Sequence, residues 1–309
     1  MLTTTATPWP RAALLLASDI KLAHSIFALP FAVMAVFLVG APNGAASVHW
    51  PVLAAKLALV VACMVAARTW AMLFNRLVDR RFDADNARTK KRVFAAGLLS
   101  ARVGWLVAGA CALVFASLCA GFLLLFANPW PLYLCVPVLA WIAFYSLTKR
   151  FTALCHLFLG GALAASPIAA AIAVEPSALA TTPAIFWIAG FVLCWVAGFD
   201  IIYALADEAF DRQRGLFSIP AKLGIRGAMW VARVLHLLAA AFLAMAYRSD
   251  PRLGPLFGSA VIMIAVLLIV EHIAASRGGK AGLNMAFFTI NGIVSCVLGC
   301  AGVIDIFLP

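Results

Sequence analysis

Runs of about twenty apolar residues, the length that crosses a bilayer core of roughly 30 Å as a helix, recur from one end of this chain to the other. That feature leaves an all-α polytopic membrane protein as the reading, because a lipid-facing segment must satisfy its backbone polar groups internally. The composition agrees: of 309 residues 65% are hydrophobic and 11% charged, against roughly one quarter charged in a soluble domain. Gly, Pro and Asn in "GAPNG", "ANPWP" and "VEPSALATTP" mark breaks. They delimit nine expected transmembrane helices, at 22–41, 51–75, 103–126, 130–148, 152–173, 184–206, 228–247, 254–273 and 282–307, in one domain over 1–309. The opening stretch lacks a signal-peptide layout, since Lys21 interrupts the region where a cleavage site is sought, and it reads as a short tail leading into the first helix.

A net charge of +11 raises the question of nucleic acid, but the basic residues sit in short turns between apolar runs, with no soluble face to dock a polyanion. Membrane orientation and a phosphate-bearing substrate explain them better. Lys and Arg crowd the connections after the second, fourth, sixth and eighth spans, as at Arg80, Arg88, Lys149, Arg212 and Arg277. The other connections are nearly free of them, apart from Arg248 and Arg252. The positive-inside rule then puts the basic loops in the cytoplasm of a plasma (inner) membrane. Eight cysteines lie scattered through apolar runs with no C-x-x-C and read as small core hydrophobes.

Seven of the twelve acidic residues fall in two short windows: Asp79, Asp83 and Asp85, then Asp200, Asp207, Glu208 and Asp211. Asn75, Asp79 and Asp83 are spaced by four and share one helix face, as do Asp200, Tyr203, Asp207 and Asp211. Stacked carboxylates repel, the more so where water is scarce, so a cation must neutralise them. Mg²⁺ fits best, because it takes one or two carboxylates and keeps water or phosphate oxygens as its other ligands. The plainer alternative pairs them with Arg76, Arg80, Arg81, Arg212 and Arg214 as solvated helix ends. The recurrence of one pattern, an apolar helix ending in an acidic cluster, points to two pseudo-repeated halves whose polar ends meet at a central cavity.

"NRLVDRRFD" resembles the N-x-x-x-D-x-x-x-D motif of the UbiA superfamily of intramembrane aromatic prenyltransferases, and "DEAFD" its D-x-x-x-D motif. "YSLTKR" is similar to its Y-x-x-x-K signature, and Arg68, seven residues before Asn75, stands where these enzymes often carry arginine. The resemblance spans essentially the whole chain. It implies that a polyprenyl diphosphate loses its diphosphate and an aromatic ring captures the allylic carbon. Asn75, Asp79, Asp83, Asp207 and Asp211 would hold Mg²⁺ on the diphosphate, with Lys149 and Arg88 adding positive charge and Tyr145 in the Y-x-x-x-K role. A dry cavity walled from the 22 Phe and 9 Trp would shield the allylic cation.

On the acceptor side, Arg68 would pair with a carboxylate. Asp200 and Tyr203 lie about two turns deeper than Asp207. Asp200 orients an acceptor hydroxyl or accepts the ring proton, or else is structural, as an internal ion pair or a carboxylic acid kept neutral inside the bundle. The resemblance implies 4-hydroxybenzoate as acceptor, in ubiquinone synthesis. Asn75-Arg76 departs from the usual Asn-Asp opening, which leaves an aminodeoxyfutalosine-type acceptor, in menaquinone synthesis, as the alternative. Tetrapyrrole acceptors and a cation-coupled transporter are remoter readings. Lys21 and His24 face the cavity mouth or, for Lys21, snorkel to the surface. His156 is either a satisfied core histidine or within reach of the site, and His49, His236 and His272 are structural. No P-loop sequence occurs, so ATP is not implied, and neither is an obligate protein partner.

Overall fold

The computed structural model describes residues 9–20, 27–277 and 279–308. Lys21 and His24 lie outside the described residues. Helix α1 (Trp9–Ile20) turns Ala12, Leu16 and Ile20, spaced by four, onto one face. That face packs on Leu73 and Leu77 of α3 (Trp50–Asp85) and on Val93 and Phe94 beyond it. Between them α2 (Leu29–Gly40) is apolar on every side and accordingly sits in the core, with Phe31, Met34 and Leu38 fully covered.

At 36 residues, or about 54 Å, α3 exceeds what a bilayer requires, so its last turns carry Asn75 to Asp85 past the apolar zone. Ser100 caps α4 (Ala101–Phe126) by accepting from the Val103 N–H at 3.4 Å. Helices α5 (Trp130–Thr148) and α6 (Cys155–Val174) follow, each with a proline inside, Pro137 and Pro167.

Helix α7 (Ala184–Ala204) is the central helix, with Ile185, Phe191, Trp195, Val196 and Ile201 fully covered, and it packs most extensively on α6 and α9. Gly160 of α6 allows close approach, since a side chain there would run into the Leu193 carbonyl. After α7 the chain tightens into a 3₁₀ turn, Leu205–Asp207, then forms α8 (Glu208–Arg214), closed by Gly215 at φ 65°. Asp200 and Asp211 therefore do not ride one continuous α-helical face as expected. The 3₁₀ turn resets the register between them, yet both still reach the same cavity.

Helix α9 (Ile219–Ser249) is capped by Ser218 and kinked where Gly224 takes φ 69°. It begins well before the expected span at 228. Helices α10 (Pro255–Arg277) and α11 (Gly279–Asn284), a π-helical turn Met285–Ile290, and α12 (Asn291–Phe307) complete the chain. Eight helical segments among the described residues are long and apolar enough to cross a membrane, and the α7–α8 run counts as one of them. The ninth expected span, 22–41, contributes the shorter α2. Buried polar groups deep in this bundle satisfy one another: Trp195 Nε1 donates to Asn291 Oδ1 at 2.7 Å, and Asn291 Nδ2 donates to Glu271 at 3.0 Å.

Candidate active site

A cavity of about 1490 Å³ opens between α3, α4, α5, α6 and α7. Every residue singled out for chemistry lines it: Arg68, Asn75, Asp79, Asp83, Arg88, Tyr145, Lys149, Asp200, Tyr203, Asp207 and Asp211. These groups concentrate at the end formed by the C-termini of α3, α5 and α7. Toward the opposite end of the helices the wall is mostly apolar, with Val60, Phe115, Phe122, Leu134, Ile168 and Ala173. Among the described residues its aromatic lining is Phe and Tyr, without the Trp expected from composition.

The motif carboxylates Asp79, Asp83, Asp207 and Asp211 are not paired with the arginines of their own helices. Asp79 accepts from Arg150 Nη2 at 3.0 Å and from Asn75 Nδ2 at 3.1 Å, and Asp83 pairs with Arg92 at 2.7 Å. Asp207 accepts from Arg88 Nε and from Asn86 Nδ2, both at 3.0 Å, and a second Arg88 nitrogen makes that contact bidentate. Asp211, almost fully covered, lies 2.8 Å from Lys149 Nζ and accepts from Ser218 Oγ at 3.0 Å. These four cations come from the loops after α3 and α5, folded back over the helix ends. Of the arginines named in the plainer alternative, Arg212 pairs with Glu208, Arg214 with Asp85, and Arg76 faces Asp19 of α1 at 3.7 Å.

Burial by itself would favour neutral Lys149, but the neighbouring Asp211 carboxylate outweighs it and holds the ammonium above its usual range. Arg88 follows the same logic: burial lowers its pKa, and the hydrogen bonds and charge of Asp207 more than restore it. Both loop cations are therefore fully charged at neutral pH. Arg88 also donates to the Tyr203 hydroxyl at 2.9 Å, and the Tyr203 ring stacks on Phe287 at 4.1 Å.

Deeper in the cavity, Arg68 Nε is buried without a hydrogen-bond partner among the described residues. Tyr145 stands within electrostatic reach of Arg68, Arg76 and Asp200. Asp200 Oδ2 lies 2.7 Å from His156 Nδ1. Of the two readings of His156, the structure favours the one that puts it within reach of the site. Arg92, Arg150 and Asn86 were not among the expected site residues, and only the adjacency of Arg150 to Lys149, and of Asn86 and Arg92 to the first motif, gave any signal for them.

No metal cluster of three or more His, Cys, Asp or Glu side chains forms among the described residues, because each motif carboxylate is drawn to its own cation. The donor set nevertheless suits a hard divalent ion: it is all oxygen, and Asp83 Oδ2 is buried with no hydrogen-bond partner among the described residues. One or two such carboxylates per ion, with the rest of the shell from water or phosphate, is the arrangement this spacing allows.

Fold and site together define an integral-membrane helical protein built around an apolar chamber with an ion-lined mouth. The chain belongs to the UbiA prenyltransferase family, whose profile matches residues 26–293. It is 35% identical over 161 residues to a 4-hydroxybenzoate octaprenyltransferase of Nitrosomonas europaea, a match that spans about half the length of each chain (52% of both). Another 4-hydroxybenzoate octaprenyltransferase, from Azotobacter vinelandii, is 27% identical over 235 residues, covering 75% of this chain and 76% of that one. The apo structure of a UbiA homolog from Aeropyrum pernix K1 superposes with a TM-score of 0.79 at 29% identity, over 92% of this chain and 98% of that one. A UbiA homolog from Archaeoglobus fulgidus bound to GPP and Mg²⁺ shares the fold at a TM-score of 0.63 and 19% identity, over 95% of this chain and all of that one.

Proposed function

We propose that this protein transfers a polyprenyl group from a polyprenyl diphosphate to 4-hydroxybenzoate, a step of quinone biosynthesis, at the cytoplasmic face of the plasma membrane. The observation that carries the reading is the convergence of two carboxylate motifs, from α3 and from the turn after α7, with Lys149 and Arg88 at the mouth of one apolar chamber. An anion of high charge and a long hydrocarbon tail need that combination. Relatives named 4-hydroxybenzoate octaprenyltransferase support the acceptor over an aminodeoxyfutalosine-type molecule, and the homolog bound to GPP and Mg²⁺ supports the donor. Tetrapyrrole transfer and cation-coupled transport gain no support from these relatives.

Asn75, Asp79, Asp83, Asp207 and Asp211 are the residues that would hold Mg²⁺. The ion's contribution there is to neutralise charge on the departing diphosphate. Lys149, Arg88, Arg92 and Arg150 pair with the motif carboxylates, and their positive charge would also stabilise the diphosphate oxygens at the mouth. The apolar wall, Phe115, Phe122 and Val60 among it, takes the prenyl tail and excludes water from the allylic cation. Arg68, with its unpartnered Nε, binds the acceptor carboxylate, beside Tyr145. Asp200, above Tyr203 on the same wall, accepts the acceptor hydroxyl's hydrogen bond and then the proton released from the ring.

The test is prenyl transfer by purified protein with Mg²⁺, a polyprenyl diphosphate and 4-hydroxybenzoate, with aminodeoxyfutalosine offered in parallel. Prenylated 4-hydroxybenzoate is the expected product. Turnover of aminodeoxyfutalosine alone would replace the acceptor, and no turnover by folded protein would overturn the reading.

A further inference from the structure

His156 is a buried titratable side chain, 2% exposed, that lines the cavity and has no part in holding diphosphate. Its two ring nitrogens have different partners. Nδ1 lies 2.7 Å from Asp200 Oδ2, and Nε2 lies 3.4 Å from the backbone nitrogen of Ile219. Ile219 is the first residue of α9, where the backbone N–H has no acceptor inside its own helix and needs one from outside. An N–H can only donate, so Nε2 must offer its lone pair and carry no proton. The remaining ring proton then sits on Nδ1, where it is donated to Asp200. An imidazolium would set an Nε2–H against the Ile219 N–H, two donors facing each other in a buried place. Titratable groups around the pair include Cys155 on α6, whose thiol is 3.5 Å from the Phe217 carbonyl oxygen, Tyr203 three residues along α7 from Asp200, and Tyr145 on α5, with Arg68 and Arg76 of α3 beyond it.

Asp200 is held by one oxygen only. Oδ1 makes no hydrogen bond among the described residues, and the side chain keeps 24% exposure on a residue that lines the cavity. From this geometry we infer that neutral His156 is the positioning residue of the acceptor site: it fixes Asp200 as a carboxylate with Oδ1 presented to the acceptor.

The inference rests on the prenyl-transfer reading and adds a residue to it. In the step concerned, the C–O bond of the prenyl diphosphate breaks with its electron pair leaving on diphosphate, and ring π electrons form the new C–C bond. The ring C–H bond then breaks to restore aromaticity. Its proton passes to Asp200 Oδ1 and on to solvent at the mouth, while His156 keeps its own proton throughout.

Asparagine and leucine at 156 separate this role from packing. In His156→Asn the amide nitrogen stands near the position of Nδ1 and can still donate, whereas His156→Leu fills space without a donor. His156→Asn should keep kcat/KM for 4-hydroxybenzoate within about threefold, and His156→Leu should lose roughly 10²-fold with KM for the prenyl diphosphate unchanged. Equal behaviour of the two variants would overturn the assignment. A second readout does not depend on catalysis: ¹⁵N-histidine NMR of the detergent-solubilised protein, with the His156 signal identified by its loss in His156→Asn. A neutral ring protonated at Nδ1 at pH 7 is expected, and an imidazolium or the opposite tautomer would overturn the inference even in a protein that prenylates nothing.

Discussion

Arg88 Nε lies 3.0 Å from Asp207 Oδ1, a contact that ties the loop after the first acidic motif to the second motif, 119 residues further along the chain. The same guanidinium reaches Tyr203 and packs over its ring at 5.1 Å. One side chain thus spans the two halves of the polar mouth, in the place where a diphosphate and its metal would sit.

If the carboxylates serve the metal, truncating one on either motif should stop the reaction without unfolding the bundle. Asp79→Ala and Asp207→Ala are each expected to lower Mg²⁺-dependent kcat by roughly 10²-fold or more, the scale set by losing a group that stabilises developing charge. Both variants should elute from size exclusion in detergent like the parent. Full activity in both would sink the metal assignment.

Arg88 should matter more for the donor than for the acceptor. Arg88→Ala is expected to raise KM for the polyprenyl diphosphate about tenfold, since charge-assisted hydrogen bonds to phosphate are worth roughly 1.5–3 kcal/mol, and to leave KM for 4-hydroxybenzoate unchanged. Arg88→Lys should recover only part of the loss, because the ammonium cannot reproduce a bidentate contact. Steady-state kinetics with each substrate varied in turn would show the split.

The Lys149–Asp211 pair carries a pH signature. The folded-state pKa of Lys149 is raised above 10.5, so the pair's stabilisation is fully present below the unfolded value and is lost as pH climbs through the folded one. The gap in thermal midpoint between the parent and Lys149→Met should therefore stay constant from pH 7 to about pH 10 and narrow above that. A gap already closed at pH 8 would contradict it.

Two glycines should respond oppositely to alanine. At Gly160 the new methyl meets the Leu193 carbonyl of α7, and an overpacking cost of about 1–3 kcal/mol exceeds the roughly 1 kcal/mol that alanine gains in helix propensity. At Gly109 on α4 nothing stands within 4 Å and only the propensity gain remains. Thermal unfolding in detergent should place Gly160→Ala below the parent and Gly109→Ala at or above it.

Hydropathy and helical spacing carried much of this structure. Apolar runs set the membrane-crossing helices, because the bilayer leaves the backbone no other way to bond, and fourfold spacing put Asn75, Asp79 and Asp83 on one face of α3. The motif residues could be chosen because carboxylates in an oily chain are expensive enough to demand a use. What spacing could not carry was the break at Leu205–Asp207, where packing tightened the helix, or the early start and kink of α9. Nor could it identify partners. The cations that hold Asp79, Asp83, Asp207 and Asp211 come from loops folded over the helix ends, and His156 meets Asp200 across 44 residues of chain. Charge–charge and hydrogen-bond partners depend on which surfaces the helices bring within about 3 Å of each other, and only the packed bundle decides that. The sequence by itself determined the membrane fold and the candidate residues for the chemistry; the tertiary structure decided which of them touch, because those distances are set by packing between helices and not by position along any one of them.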